Sequence, residues 1–367
     1  MRGHARRSVS GRGRRALSAA VAVCAVTAVL PATATAAPAI ASGAGVERIS
    51  VAADGTQGDG DSAGASITSD GRHIVFSSAA KNLTADTTTA TERVYVRDQR
   101  TGQTKGLGFL TPSHSPVISD DGEYAAYYGR WFNDWRIRLD QVATAREISL
   151  DCSAYSCSQP SLNADGRHIA YTITTSKLPP IGQRVEVQDL NAHTKEIVAE
   201  LDHTMSARPS ISGAGRFVAY QDALAQDVLL WDRTDGTVSG PVEGASVAAA
   251  LVQLSDDGGK VVYLSGSDTY VHDVASGTAQ LVPDVRGVAI DPTGRYLLYA
   301  PRGTGGPSLV LRDLRTGTDE TVSDQPASAG TDAVGAGGRD VVFQSTADDI
   351  VPDDTNGKSD VFVRHYY

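Results

Sequence analysis

The sequence predicts an all-β chain folded as a seven-bladed β-propeller, and three observations carry that prediction. A glycine in a turn motif recurs seven times, at intervals of 36 to 51 residues. An aromatic residue stands five positions after each of these glycines. The last repeat lacks one strand, and an additional strand-like segment precedes the first repeat.

The turn glycines are expected to close a hairpin between the first and second strands of each repeat. Several follow an aspartate, and Asp-Gly pairs suit turns that need a positive φ. The glycines are Gly71, Gly122, Gly166, Gly215, Gly258, Gly294 and Gly338. The aromatic residues are Phe76, Tyr127, Tyr171, Tyr220, Tyr263, Tyr299 and Phe343. An aliphatic residue stands four positions before each glycine, as a buried first strand requires.

A third strand follows in each repeat, as in "VYVRD" and "VLLWD", and in most repeats it ends at an aspartate. A second turn and a fourth strand complete the unit. No segment shows a sustained helical period. Four short antiparallel strands in about 45 residues are typical of a propeller blade, which buries its faces only against neighbouring blades.

The ends of the repeat region predict how the ring closes. The seventh repeat stops after its third strand, "DVFVRHYY", and residues 45–54, "GVERISVAAD", form an isolated strand. We expect this N-terminal strand to complete blade seven, because an unpaired sheet edge would promote aggregation. A single propeller domain is therefore predicted for residues 45–367.

The pattern "DGRHIVFSS" followed by "VYVRDQRTG" resembles the WD40-like repeat of the TolB-type propeller family. The resemblance covers the chain from residue 45 onwards. It implies the propeller fold, and it implies relatives that act as envelope scaffolds or that are fused to a serine hydrolase or a TolB-like N-terminal domain. We expect neither additional domain here, since the seven repeats and the N-terminal strand account for the chain from residue 45 onwards.

Residues 1–36 are predicted to be a signal peptide, followed by a disordered linker at 37–44. Six arginines precede the apolar run "ALSAAVAVCAVTAVL", and Ala34-Thr35-Ala36 forms a cleavage site. The run is shorter than the roughly 20 residues of a membrane-spanning helix. Export would leave the formal net charge of −10 more negative, which argues against nucleic acid or an anionic membrane as partners. We expect a secreted monomer, extracellular or periplasmic.

The loops between second and third strands are longest in blades one and seven, and they contain many aspartates. They and residues 53–65 contribute Asp54, Asp59, Asp61, Asp86, Asp348, Asp349, Asp353, Asp354 and Asp360. Within "DTNGKSD", the oxygens of Asp354, Asn356 and Asp360 have a spacing typical of calcium loops. A solvated turn is the alternative interpretation. If calcium binds, millimolar calcium should raise the melting temperature.

Two further features bear on function. Trp131, Phe132 and Trp135 lie in the loop of blade two, where they could contact a sugar or peptide or pack within their own hairpin. Cys152 and Cys157 are expected to form a disulfide in an exported chain. The histidines are scattered among different blades and predict no site.

The sequence leaves two functional hypotheses. The first is a non-enzymatic binding or scaffold propeller that recognises a protein, peptide or glycan on the long-loop side of blades one, two and seven. The second is a secreted lyase or glycoside hydrolase with carboxylates and aromatic residues at the channel mouth. Fold alone does not decide between them. A carboxylate pair flanking an open groove would favour the enzyme.

Overall fold

The computed structural model describes residues 45–86, 92–108, 115–131, 134–148, 150, 152, 156–174, 182–198 and 205–366. The predicted signal peptide and linker lie outside these residues. The described chain forms seven four-stranded antiparallel sheets, which confirms the predicted propeller. The helical structure in the described ranges is one 3-10 turn, Ala336–Gly338. These ranges contain no helix long and apolar enough to cross a membrane.

Blades one to four follow one another along the chain. Blade one consists of β2 (Ser62–Ile67), β3 (His73–Ser78), β4 (Arg93–Asp98) and β5 (Gln103–Gly106). Blade two consists of β6 (Val117–Ile118), β7 (Tyr124–Trp131), β8 (Asp134–Gln141) and β9 (Arg146–Ile148). Blade three consists of β10 (Ser156–Leu162), β11 (His168–Thr174), β12 (Gln183–Asp189) and β13 (Thr194–Ile197). Blade four consists of β14 (Ser206–Ile211), β15 (Phe217–Asp222), β16 (Asp227–Asp232) and β17 (Thr237–Ser239).

Blades five and six repeat this order, and blade seven combines both ends of the described chain. Blade five consists of β18 (Ala250–Leu254), β19 (Lys260–Ser265), β20 (Asp268–Asp273) and β21 (Thr278–Val282). Blade six consists of β22 (Val285–Ile290), β23 (Tyr296–Pro301), β24 (Leu309–Asp313) and β25 (Asp319–Ser323). Blade seven consists of β26 (Ala327–Ser328), β27 (Asp340–Ser345), β28 (Asp360–His365) and β1 (Gly45–Arg48).

Blade seven closes the ring as the sequence predicts. Its strand order is β26, β27, β28 and then β1. β1 runs antiparallel to β28, with Gly45 opposite His365 and Arg48 opposite Phe362. The N-terminal strand thereby covers an edge that would otherwise expose its backbone hydrogen-bonding groups.

The Asp-Gly turns are held by one local hydrogen-bond pattern, illustrated by blade one. The Thr68 hydroxyl donates to Asp70 at 2.6 Å and accepts the His73 N–H at 3.0 Å. Gly71 adopts φ 75°, where a residue with a Cβ is strained. Ser119, Asn163 and Ser255 make the equivalent pairs of contacts in blades two, three and five.

Each turn glycine also lies under a side chain of the preceding blade. A Cβ added to any of the seven glycines would lie within 3.2 Å of that side chain. The covering residue always stands two positions after its own blade's turn glycine. These residues are His73, Tyr124, His168, Phe217, Lys260, Tyr296 and Asp340. The glycine is thus required both for the turn and for the contact between blades.

A ring of hydrogen bonds joins the turns around the central channel. Every pair of neighbouring blades contributes one bond between residues next to its turn glycines. In order from blade one these bonds are Ser69 N–H to Asp120 Oδ1, Asp121 N–H to Ala164 O, Ala164 N–H to Gly213 O, Gly213 N–H to Asp256 O, Asp257 N–H to Pro292 O, Gly337 N–H to Asp291 Oδ2 and Ala336 N–H to Ser69 O. We call this end of the ring the turn pole and the opposite end the loop pole.

The third-strand aspartates stabilise the turns and pair with a basic residue one or two positions after the turn glycine. In blade three Asp189 accepts the N–H groups of Asn191 and Ala192 and binds Arg167 at 2.8 Å. Arg167 holds the pKa of Asp189 well below its usual range. The corresponding pairs are Arg72–Asp98, Arg216–Asp232, Lys260–Asp273 and Arg295–Asp313. The aromatic residues five positions after the glycines are buried in the core.

Deleting residues 45–52 should destabilise the ring, because it removes β1 and exposes the edge of β28. We expect a large fall in melting temperature or aggregation, measured by thermal unfolding and gel filtration. Deletion of residues 37–44, which leaves β1 in place, is the control. A soluble 45–52 deletion with unchanged melting would contradict the closure.

Candidate functional site

The loop pole of blades one and seven is built around residues 57–62, which lie between the two long loops. On one side Asn82 Nδ2 donates to Gln57 O at 2.7 Å. On the other side Asn356 Nδ2 donates to Gly58 O at 3.1 Å, and Ser359 N–H donates to Asp61 Oδ1 at 2.9 Å. The long loops are therefore neighbours, as the order of the blades in the ring predicts, and many of their polar groups are used in this contact.

The predicted calcium residues lie together beside Arg48 of β1. Arg48 Nη2 lies 2.9 Å from Asp354 Oδ2, and its Nε lies 3.5 Å from Asp360 Oδ2. These contacts are ionic, since they lack aligned N–H···O geometry. Burial raises the pKa of Asp360, while hydrogen bonds from Ser50 and Asn356 and the charge of Arg48 oppose that rise.

Asn356 turns its amide nitrogen towards this cluster. Its Nδ2 donates to Asp360 Oδ2 at 2.8 Å, and its Oδ1 accepts the Lys358 N–H. A calcium ion would have to displace Arg48 and reverse the Asn356 amide. Calcium binding at Asp354, Asn356 and Asp360 stays a prediction. Among the residues that the structure describes, no group of three or more His, Cys, Asp and Glu side chains could hold a metal.

The aromatic loop of blade two is partly described. β7 ends at Trp131, whose side chain lies outside the described part of the chain, as does Phe132. Trp135 is 36% exposed at the start of β8. Its ring centroid lies 5.7 Å from that of Tyr128, edge to face, and Arg130 lies over it at 6.0 Å. Trp135 therefore rests on its own hairpin and keeps part of its surface open to solvent.

Three arginines lie near this hairpin at the loop pole, Arg130 and Arg136 in blade two and Arg208 in blade four. Arg130 and Arg208 are exposed, and Arg136 is half-buried with one nitrogen 3.5 Å from Cys152 O. The positive charge of Arg208 in blade four opposes the burial that raises the pKa of Tyr128 to about 12. Within the described ranges, no carboxylate forms an ion pair with any of the three arginines. We name Tyr128, Arg130, Trp135, Arg136 and Arg208 the basic aromatic patch.

Cys152 and Cys157 form the predicted disulfide between blades two and three, with their Cα atoms 6.1 Å apart. Both cysteines pack in the core cluster that contains Tyr128. The bridge therefore constrains the segment that leads from the basic aromatic patch into β10. His73 and His168 pack over the next blade's turn glycine, which supports a structural role for this position.

The channel contains a carboxyl cluster that the sequence analysis missed. Asp120, Asp256 and Asp332, from blades two, five and seven, line one cavity of about 30 Å³. Asp120 and Asp256 stand two positions before their turn glycines, where the other blades have Ser69, Ala164, Gly213, Pro292 and Ala336. That difference was a visible signal, although Asp in an Asp-Asp-Gly sequence suggests only a turn. Asp332 lies between β26 and the turn of blade seven, and its place in the sequence carried no such signal.

Comparison with known proteins identifies the fold. No family model matches the chain, and no curated protein matches it. An oligogalacturonate lyase in complex with manganese matches with a TM-score of 0.62 at 14% identity, over 89% of this chain and 94% of that chain. An oligogalacturonate lyase from Vibrio parahaemolyticus matches with a TM-score of 0.63 at 13% identity, over 87% of this chain and 93% of that chain. TolB from Acinetobacter baumannii matches with a TM-score of 0.47 at 15% identity, over 71% of this chain and 62% of that chain. At these identities the likeness shows the propeller fold alone.

Arg48→Gln should destabilise the protein by about 3 kcal/mol, because it leaves the buried carboxylates of Asp354 and Asp360 without their cation. Arg216→Gln, which breaks an exposed pair with Asp232, is the matched control and should destabilise the protein far less than Arg48→Gln. Denaturant unfolding measures both. Equal losses in the two variants would contradict the role assigned to Arg48.

Reduction of the Cys152–Cys157 bridge should add two hydrogens to the intact mass of exported protein. It should also lower the free energy of unfolding by about 2 kcal/mol on the chain-entropy model for a short loop. A Cys152→Ser, Cys157→Ser double variant should match the reduced protein and be insensitive to reductant. Two free thiols in freshly exported protein would contradict the pairing.

Proposed function

We propose that this protein is a non-catalytic binding propeller that holds an acidic carbohydrate on the basic aromatic patch. The carrying observation is an exposed Trp135 with Arg130 over its ring and with Arg136 and Arg208 in the same patch. No described carboxylate pairs with these three arginines, although the chain has a net charge of −10. Unpaired guanidinium groups in an acidic protein favour an anionic ligand. The patch shifts the expected binding surface from blades one, two and seven to blades two and four.

The chemistry of the patch suits a sugar that carries carboxylates. A planar guanidinium can bind a carboxylate through two parallel hydrogen bonds, which an ammonium cannot do. An indole presents a flat apolar face beside a polar N–H, as an amphipathic sugar ring requires. Tyr128 packs against the tryptophan ring and shares a core cluster with both cysteines, and this support limits the conformational entropy lost on binding. The two lyase structures with this fold are named for an acidic oligosaccharide, oligogalacturonate.

Binding is favoured over catalysis by where the carboxylates lie. The channel cluster faces a cavity of about 30 Å³, enough for one or two waters and too small for a sugar ring. At the loop pole, Asp354 and Asp360 are paired with Arg48. Neither group flanks an open groove. A lyase remains the second candidate, because two solved lyases share the fold.

We also propose an exported location and a place among the TolB-type repeat propellers. The basic and apolar N-terminal sequence supports export, as does a disulfide, which persists in oxidising compartments. The recurrent Asp-Gly-Arg turn paired with a third-strand aspartate supports the repeat assignment. Mass spectrometry of the N-terminus of exported protein tests the predicted cleavage after Ala36.

Titration calorimetry with oligogalacturonate and with an uncharged oligosaccharide of the same length tests the function. We expect binding of the acidic ligand alone, weakened by salt. Trp135→Ala and Arg130→Gln should each lower affinity at least about tenfold, or 1.4 kcal/mol. Leu281→Ala, 48% exposed on the outer strand of blade five, and Arg315→Gln, exposed at the turn pole, are the matched controls.

Equal affinity for both ligands, or equal losses in patch and control variants, would contradict the proposal. The lyase alternative has a separate readout, since elimination creates an unsaturated sugar that absorbs ultraviolet light. Accumulation of that product in the calorimetry samples would show that the protein is a lyase and would contradict the binding proposal. Binding without formation of the product supports a non-catalytic binding propeller.

A further inference from the structure

The channel is closed at the turn pole by side chains from opposite sides of the ring. Asp120 of blade two and Asp256 of blade five face the same cavity, and their carboxyl groups share a hydrogen bond. Blades two and five are separated by two blades on one side and by three on the other. This carboxyl pair is therefore a contact across the channel, in addition to the hydrogen bonds that run around it.

Neighbouring groups fix the orientation of the three carboxyls. The Ser69 N–H donates to Asp120 Oδ1 at 3.1 Å. Gln253 Nε2 donates to Asp332 Oδ1 at 2.7 Å, and the Asp332 N–H donates to Gln253 Oε1 at 3.3 Å. Gln253 thus links blade five to blade seven beside the carboxyl pair. These contacts hold the three acidic groups around one small volume.

The described residues that line the cavity include no lysine, arginine or histidine. The polar side chains facing the carboxyls are Asn163 and Gln253, and the further charged groups acting on them, Asp121 and Asp257, are negative. Three carboxylates cannot all ionise at this spacing without a cation to balance them. Protons are the remaining means of neutralisation, since the described residues contain no group of three or more His, Cys, Asp and Glu side chains that could hold a metal.

We propose that protons held between Asp120, Asp256 and Asp332 form a latch that closes the turn pole, and that their loss separates the carboxylates and loosens the ring. Asp256 donates to Asp120 in the closed state, so that one carboxylate and one carboxylic acid share a hydrogen bond. Deprotonation replaces that bond with repulsion between two anions. The latch does not depend on the proposed carbohydrate site, which lies at the loop pole.

The direction of the pH dependence follows from burial. Burial raises the pKa of Asp332 to about 6, raises that of Asp120, and raises that of Asp256 well above its usual value. The folded state therefore holds protons that the unfolded chain releases near pH 4. The stability that the latch contributes is complete below about pH 4 and is lost as the pH rises through the raised pKa values of the folded state, which is about 6 for Asp332. The third-strand aspartates, whose pKa values are lowered by their basic partners, lose their contribution only at more acidic pH.

Melting temperatures of the full chain from pH 4.5 to 8 test the latch. Asp256→Asn keeps a donor towards Asp120 but cannot ionise. Its melting temperature should exceed that of the wild type at pH 8, and the difference should grow by roughly 5 °C from pH 5 to 8. For Asp332→Asn, the difference in melting temperature from the wild type should change around pH 6. Asp349→Asn, exposed in the loop of blade seven, is the matched control and should follow the wild-type curve.

Carboxyl carbon NMR of the wild type provides a test that does not rely on a variant folding. At least one aspartate should keep its proton at pH 6. Histidine titration affects all these proteins alike, so the difference between variant and wild type isolates the latch. Parallel melting curves for Asp256→Asn and wild type, or titration of every aspartate below pH 5, would overturn the proposal.

Discussion

The contact between each turn glycine and the side chain laid over it by the preceding blade is the constraint on which the ring depends. One residue must adopt a positive φ for the hairpin and leave room for its neighbour, so two demands converge on glycine. The covering side chains differ in chemistry from His73 to Phe217 to Asp340, yet all occupy the same place. Blade spacing is therefore set by backbone shape, and side-chain identity can vary around it. The hydrogen bonds between turns then fix the spacing at every interface.

The two poles of the ring are consequently under different constraints. At the turn pole, short hairpins of nearly constant length leave little freedom, and the acidic side chains Asp120 and Asp256 meet in the centre. At the loop pole, the connections vary in length and expose side chains such as Trp135. A rigid base with variable loops is a common way to position a binding surface. In this chain the rigid end holds a cluster of carboxyl groups, and the opposite end exposes positive charge from Arg130 and Arg208.

The blades and their closure could be predicted because each depends on a local pattern that repeats. Gly71 and Phe76 have counterparts in every blade, and the orphan strand at residues 45–48 matches a missing one at the other end. The sites could not be predicted in the same way, since they depend on residues that depart from the repeat. Arg48 meets Asp354 only through closure of the ring. Asp120 and Asp256 look like ordinary turn residues until the channel brings them together.

The pairing of β1 with β28 also imposes an order in time. Gly45 finds its partner His365 only when almost the whole described chain has been made. Contacts between residues so far apart form slowly, because the loop between them must first be closed. Until then, β1 and the buried surfaces of the end blades lack their final neighbours, and such surfaces are prone to aggregation. The strand that protects the finished ring is thus the one that a nascent chain must keep unpaired for longest.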